Sequence, residues 1–201
     1  MPRLPNIDWT YEGAPDPVAG TGATWAEHVL MWLAGLAGAG LMIFLSHDGY
    51  VGWTWLETAI AAVVAFDLIG GAVAMNLNSA KRFYHSPAQP AERGMIRFIK
   101  RGFYLPATHV HPILVFLLYK PDAYLVGIAI YFAAALSVAL VRLVPLFLSR
   151  PLAILLVLAS VLVNAYGVRA VPGFEWLLPV LFLKLVLGFG VREEPYRPAR
   201  D

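Results

Sequence analysis

The sequence predicts an all-α, polytopic integral membrane bundle of six transmembrane helices, with both termini inside. Three observations predict it. Only 14% of the residues are charged and 59% are hydrophobic, whereas a soluble domain is about one quarter charged. The mean hydropathy is +0.66. The apolar residues fall into runs close to the ~20 needed to cross a bilayer. The 201 residues suffice for one bundle and contain no cysteine, which removes disulfides, thiolate nucleophiles and Cys-ligated metals.

Residues 1–23 read as an irregular cytoplasmic arm. Pro2, Pro5, Pro15 and Pro17, with acids between them, lack the apolar core of a signal peptide. Trp9 and Tyr11 are expected to rest at the interface. The transmembrane domain is placed at 24–191 and a cytoplasmic tail at 192–201.

The first span is expected over Trp25–Ser46. Its Ala34, Gly35, Gly38, Ala39 and Gly40 have small-xxx-small spacing, which lets another helix approach closely. An oligomer formed through this span is one expectation. The second span, Thr54–Asn76, carries Glu57 at its start and Asp67 inside, followed by Gly70 and Gly71. Residues 79–103 form the long polar connector, interrupted at 86–90. Within it, Arg93, Arg97, Lys100 and Arg101 share a helical face, which predicts a short amphipathic helix lying on anionic headgroups. The third span, Tyr104–Tyr119, is short and holds Pro106 and Pro112. The fourth, fifth and sixth are expected over Ala123–Val144, Pro151–Gly167 and Pro172–Val191. Lys184 lies inside the last.

Charge sets the expected orientation, because loops rich in Lys and Arg stay cytoplasmic. With six spans, twelve Lys and Arg fall on the side of both termini and the connector. Only Lys120 and Arg169 fall on the other side. A bacterial inner or plasma membrane is the expected location.

Depth then follows from the helical rise of ~1.5 Å per residue. Asp67 falls roughly 13 Å deep, His109 and His111 roughly 8–11 Å, and Lys184 roughly 10 Å, all from the cytoplasmic side. An ionised group at such depth must be paired or wet. Asp67 is too short to reach headgroups, so Lys184, His109 or His111 is its expected partner. Pro112 cannot donate to the Thr108 carbonyl. His109 and His111, two residues apart, diverge on a regular helix. Both reach one site only if the helix is distorted.

Asp67, His109 and His111 are therefore the candidate acid–base groups. Asn76, Asn78, Lys81, Arg82, Tyr84, His85 and Lys184 are the candidate substrate-binding groups, suited to an anionic lipid headgroup. No P-loop, dinucleotide fingerprint, GxSxG or HExxH occurs. No metal site, nucleic acid partner or particular cofactor is expected. The leading expectation is a membrane-embedded enzyme or lipid-handling protein with its polar site open to the cytoplasmic leaflet. A proton-coupled transporter or channel using Asp67 is the alternative. An accessory subunit of a membrane complex is the third.

Overall fold

The computed structural model describes residues 6–100 and 104–197, so Arg3, Arg101 and Arg200 lie outside the described residues. Four helices are long and apolar enough to cross a membrane: Trp25–His47, Trp55–Ala74, Pro121–Leu143 and Leu146–Gly167. Tyr104–Tyr119 and Leu177–Phe189 are shorter apolar helical passages. The composition and length of the four are those of a multi-pass membrane protein.

α1 (Trp25–His47) and α2 (Trp55–Ala74) start on the same device. Thr24 and Thr54 each accept from the amide of the Glu three residues on, and that Glu bonds back to the Thr amide. Two donors that a helix start leaves unmet are thereby satisfied. Glu27 and Glu57 thus cap their helices. α1 buries Met31, Gly35, Gly38 and Met42, a seam spaced by four, three and four residues. Gly35 lies on Phe66 and Gly38 on Ile69 of α2, whereas Gly40 faces open space. The close approach foreseen for the first span is made to α2 within the chain.

α3 (Asn78–His85) departs from the expected connector. It is a polar helix buried among other elements, with Phe83 fully enclosed. The N-terminal arm covers it. Gly20 has φ +88°, and a Cβ there would lie 2.2 Å from the Ser79 backbone. Ser79 donates to the Ala19 carbonyl at 2.6 Å and Tyr84 to that of Pro17 at 2.5 Å.

The expected amphipathic helix shrinks to one turn, α4 (Met95–Ile99), entered through Gly94 at φ +57°. Lys100 does not face headgroups. It is buried against Glu92 at 2.8 Å. Tyr11 is likewise drawn in from the interface. Its hydroxyl donates to Glu92 at 2.8 Å and accepts from Lys100 at 2.5 Å. Burial, with Glu92 beside it, raises the Tyr11 pKa.

The third passage is broken into α5 (Tyr104–Thr108) and α6 (His111–Tyr119). The Thr108 carbonyl, which Pro112 cannot serve, accepts from Val110 at 2.9 Å. A 3₁₀ turn at Pro121–Ala123 leads into α7 (Tyr124–Leu143). α8 (Leu146–Leu162) begins before Pro151, which lies inside it, and ends in a π-helical turn at Val163–Gly167. α9 (Leu177–Phe182) runs on as a π-helical segment, Leu183–Phe189. The last helix starts later than expected because Pro172-Gly173 forms a turn. Gly173 has φ +86° and lies against Trp53.

The two ends of the bundle differ. At one end Trp53, Tyr119 and Phe174 form an aromatic cluster with ring centroids 4.9–5.3 Å apart. At the other lies a polar platform of arm, α3, α4 and tail. It is closed by two short strands, β1 (Asn6–Ile7) and β2 (Tyr196–Arg197), paired antiparallel. Asp8 meets Arg197 at 2.7 Å, and Thr10 and Arg197 lower the Asp8 pKa to about 2.

Candidate functional site

Asp67, His109, His111 and Lys184 meet. Lys184 Nζ lies 2.7 Å from Asp67 Oδ2 and 3.1 Å from the Asp67 carbonyl oxygen. His111 Nε2 lies 3.3 Å from the same Oδ2. The His109 and His111 rings are 5.4 Å apart. The break between α5 and α6 removes the helical divergence of the two histidines and turns both towards one region.

Gly71 makes the approach of Lys184 possible. A Cβ at Gly71 would lie 2.4 Å from Lys184 Cε and 2.6 Å from Nζ. One turn beyond Asp67, the bare backbone leaves a channel for the lysine stem. The ammonium comes from a π-helical segment, whose looser turns recur at functional sites.

Hydrogen bonding assigns the tautomer of each neutral imidazole. His109 Nδ1 faces the Leu105 carbonyl at 2.7 Å. A carbonyl only accepts, so Nδ1 carries the proton and Nε2 is an acceptor. His111 Nε2 faces the carboxylate, so its Nδ1 is the acceptor. Both remaining nitrogens are buried without a protein partner. One unmet acceptor therefore lies on the ring that meets the Asp67 carboxylate, and the other on the neighbouring His109 ring.

The site is sealed on one side and open on the other. The Lys184 side chain is 4% exposed and that of Asp67 is 48%. A groove of about 390 Å³ runs between α2 and α6 over Ala59, Ile60, Val63, Val64 and Leu114, with Asp67 and His111 in its wall. It opens sideways, towards the space around the bundle. The aromatic cluster of Trp53, Tyr119 and Phe174 lies at the end of the bundle away from the platform.

The other expected binding groups lie on the platform. Lys81 donates to the carbonyls of Leu187, Gly188 and Val191, with Glu193 at 3.8 Å. It caps the end of the last helix. Burial lowers its pKa to about 8 despite Glu193. Arg82 donates to the Tyr196 carbonyl at 3.4 Å, and its Nε is buried without a partner. Asn78 accepts from the Tyr196 amide at 3.0 Å, and Asn76 bonds back to Ala72 at 2.7 Å. Tyr84 holds the arm, as above. These contacts join chain segments to one another, and only Lys184 of this set meets Asp67.

His85 lies apart, stacked on Phe189 with centroids 6.4 Å apart. Burial, together with Lys81, Arg142 and Arg192 nearby, lowers its pKa to about 3. Sequence reasoning passed over Gly71 as a lysine channel, the Tyr11–Glu92–Lys100 cluster, and the placement of His85 with Arg142 and Arg192 around one cavity. A glycine one turn from an acid in an apolar helix was the available signal for the first. No spacing marks the other two.

Among the described residues, no three of His, Asp and Glu are placed to hold a metal ion. No protein-family model, curated protein or solved structure matches this chain.

Proposed function

We propose that this is a six-pass membrane protein whose Asp67–His111–Lys184 cluster performs acid–base work on a lipid-like substrate. The substrate enters sideways through the groove between α2 and α6. Tyr104–Tyr119 and Leu177–Phe189 complete the six passes, and both termini lie inside. The charge bias supports this orientation. Exposed Trp25 and Trp55, at opposite ends of the α1–α2 hairpin, match interfacial anchors.

The observation that carries the reading is the half-open carboxylate. In a bilayer, an ion pair used only for packing is best closed over, because an exposed charge costs a few kcal/mol. Here the lysine is enclosed and the acid is presented to an apolar groove. A polar group that arrives along that groove meets the Asp67 carboxylate with the His111 ring beside it. A hydroxyl of the visitor donates to Asp67, which takes its proton while Lys184 holds the charge.

The test compares lipids extracted from membranes that carry equal amounts of folded wild type or Asp67→Asn. At least one lipid species is expected to change with the wild type and not with the variant. Identical lipid profiles overturn the reading. A proton-coupled transporter is the second reading, favoured by the run of proton-exchanging groups from His109 to Lys184. The aromatic cluster that closes the outer end argues against it. A pH-driven flux into liposomes, lost in Asp67→Asn, would place it first.

A further inference from the structure

We propose that a second site, on the platform, binds a phosphate group. It is the cavity of about 410 Å³ lined by His85, Arg142, Ser149 and Arg192, with Val144 and Leu146. Its size falls in the ~300–1,000 Å³ range of small-ligand sites. It shares no residue with the Asp67 groove and does not rest on the reading of that groove.

Three observations point to an anion. First, two guanidiniums and an imidazole line the cavity, and among its described lining residues there is no acid. Glu193, next to Arg192 in sequence, pairs with Arg150 at 2.9 Å and Lys81 at 3.8 Å. Second, both arginines lie over aromatic rings. Arg142 lies over Phe189 at 4.2 Å and Arg192 over Trp9 at 4.9 Å. Such cation–π contact helps to hold a guanidinium in place, and its N–H donors form the fork that fits phosphate. Third, the buried Nε2 of His85 has no protein partner. A neutral imidazole offers this nitrogen as an acceptor or a donor according to its tautomer. A phosphate meets both demands. Its oxygens accept from the arginines, and Nε2 either accepts from a P–OH or donates to a phosphate oxygen. Ser149 adds a hydroxyl at the start of α8, whose positive end forms one wall.

The phosphate reaches this cavity either as a lipid headgroup or as a free ion. Native mass spectrometry of the detergent-solubilised full chain, titrated with phosphatidic acid or phosphatidylcholine, separates site binding from general lipid binding. A thermal-shift titration with inorganic phosphate alone tests the free ion. Wild type is expected to prefer phosphatidic acid by about fivefold or more, and Arg192→Ala to lose most of that preference. Arg192 is exposed, so its removal should leave the bundle folded. Arg142→Gln, whose folding is checked by the same melt, should act alike. Arg97→Ala removes an exposed charge elsewhere on this face and should change nothing. A shift with inorganic phosphate that Arg192→Ala abolishes identifies a free-ion site. Lipid preference without such a shift identifies a headgroup site. The proposal is overturned if wild type shows neither. It is equally overturned if Arg192→Ala matches wild type, or if Arg97→Ala loses as much.

Discussion

Lys184 meets Asp67 at 2.7 Å inside the bundle, and Lys100 meets Glu92 at 2.8 Å on the platform. Both lysine side chains are 4% exposed. Glu92 is 2% exposed, but Asp67 is 48%. The platform pair is complete. Glu92 also accepts from Tyr11 and the Gln89 amide, and the Lys100 ammonium sits over the Tyr11 and Phe83 rings. Every direction around it is filled by protein. The bundle pair is enclosed only on the lysine side. Similar distances therefore serve different ends: one pair ties the arm to the connector, and the other holds a carboxylate at the edge of a groove.

The largest expected effect comes from breaking the closed pair. Lys100→Met leaves Glu92 buried without its cation, at a cost of about 3–5 kcal/mol. Thermal unfolding in detergent should show it, and faster proteolysis of the arm should accompany it. If Lys100→Met melts like wild type, the platform pair is no clamp. Next is Gly71→Ala, which places a methyl group in the path of Lys184 and should cost about 1–3 kcal/mol. Combining it with Lys184→Met should recover part of that loss, since the two residues are in contact. Strict additivity would mean that the lysine does not use this channel.

Asp67→Asn should cost about 1 kcal/mol, less than the platform break, because the amide oxygen and the Asp67 carbonyl still accept from Lys184. Its effect on function should be total. A large stability loss in this variant would make the open pair as structural as the closed one. The smallest effect belongs to Gly40→Ala, in open space on α1. It should leave the melt unchanged or raise it by at most about 1 kcal/mol through helix propensity.

The long apolar runs were legible because hydropathy needs no knowledge of neighbours. So was the proximity of Asp67, His111 and Lys184, since helical rise is fixed by backbone geometry and sets which residues of neighbouring helices lie level. Pro112 marked the break that turns both histidines one way. The platform was not legible. Lys81 and Lys100 look like surface anchors in a basic connector, and only contacts with distant segments bury them. Lys81 serves carbonyls more than a hundred positions away. Tyr11 carries no periodic signal in an irregular arm. The late start of the last helix turns on Gly173, whose positive φ and close contact with Trp53 leave no mark in the local sequence.

The β1–β2 clasp bears on the order in which the molecule is made. Asp8 and Arg197 lie 189 positions apart, so the clasp cannot form until the ribosome has passed Arg197. Tyr11, Glu92 and Lys100 are all available much earlier. At roughly 5–20 residues per second, synthesis from Lys100 to Arg197 takes on the order of 5–20 s. Until then the contacts available to the arm are those with α3 and with Ser86, Pro87, Gln89, Glu92 and Lys100. The strands add the last tie, after the rest of the chain has been made.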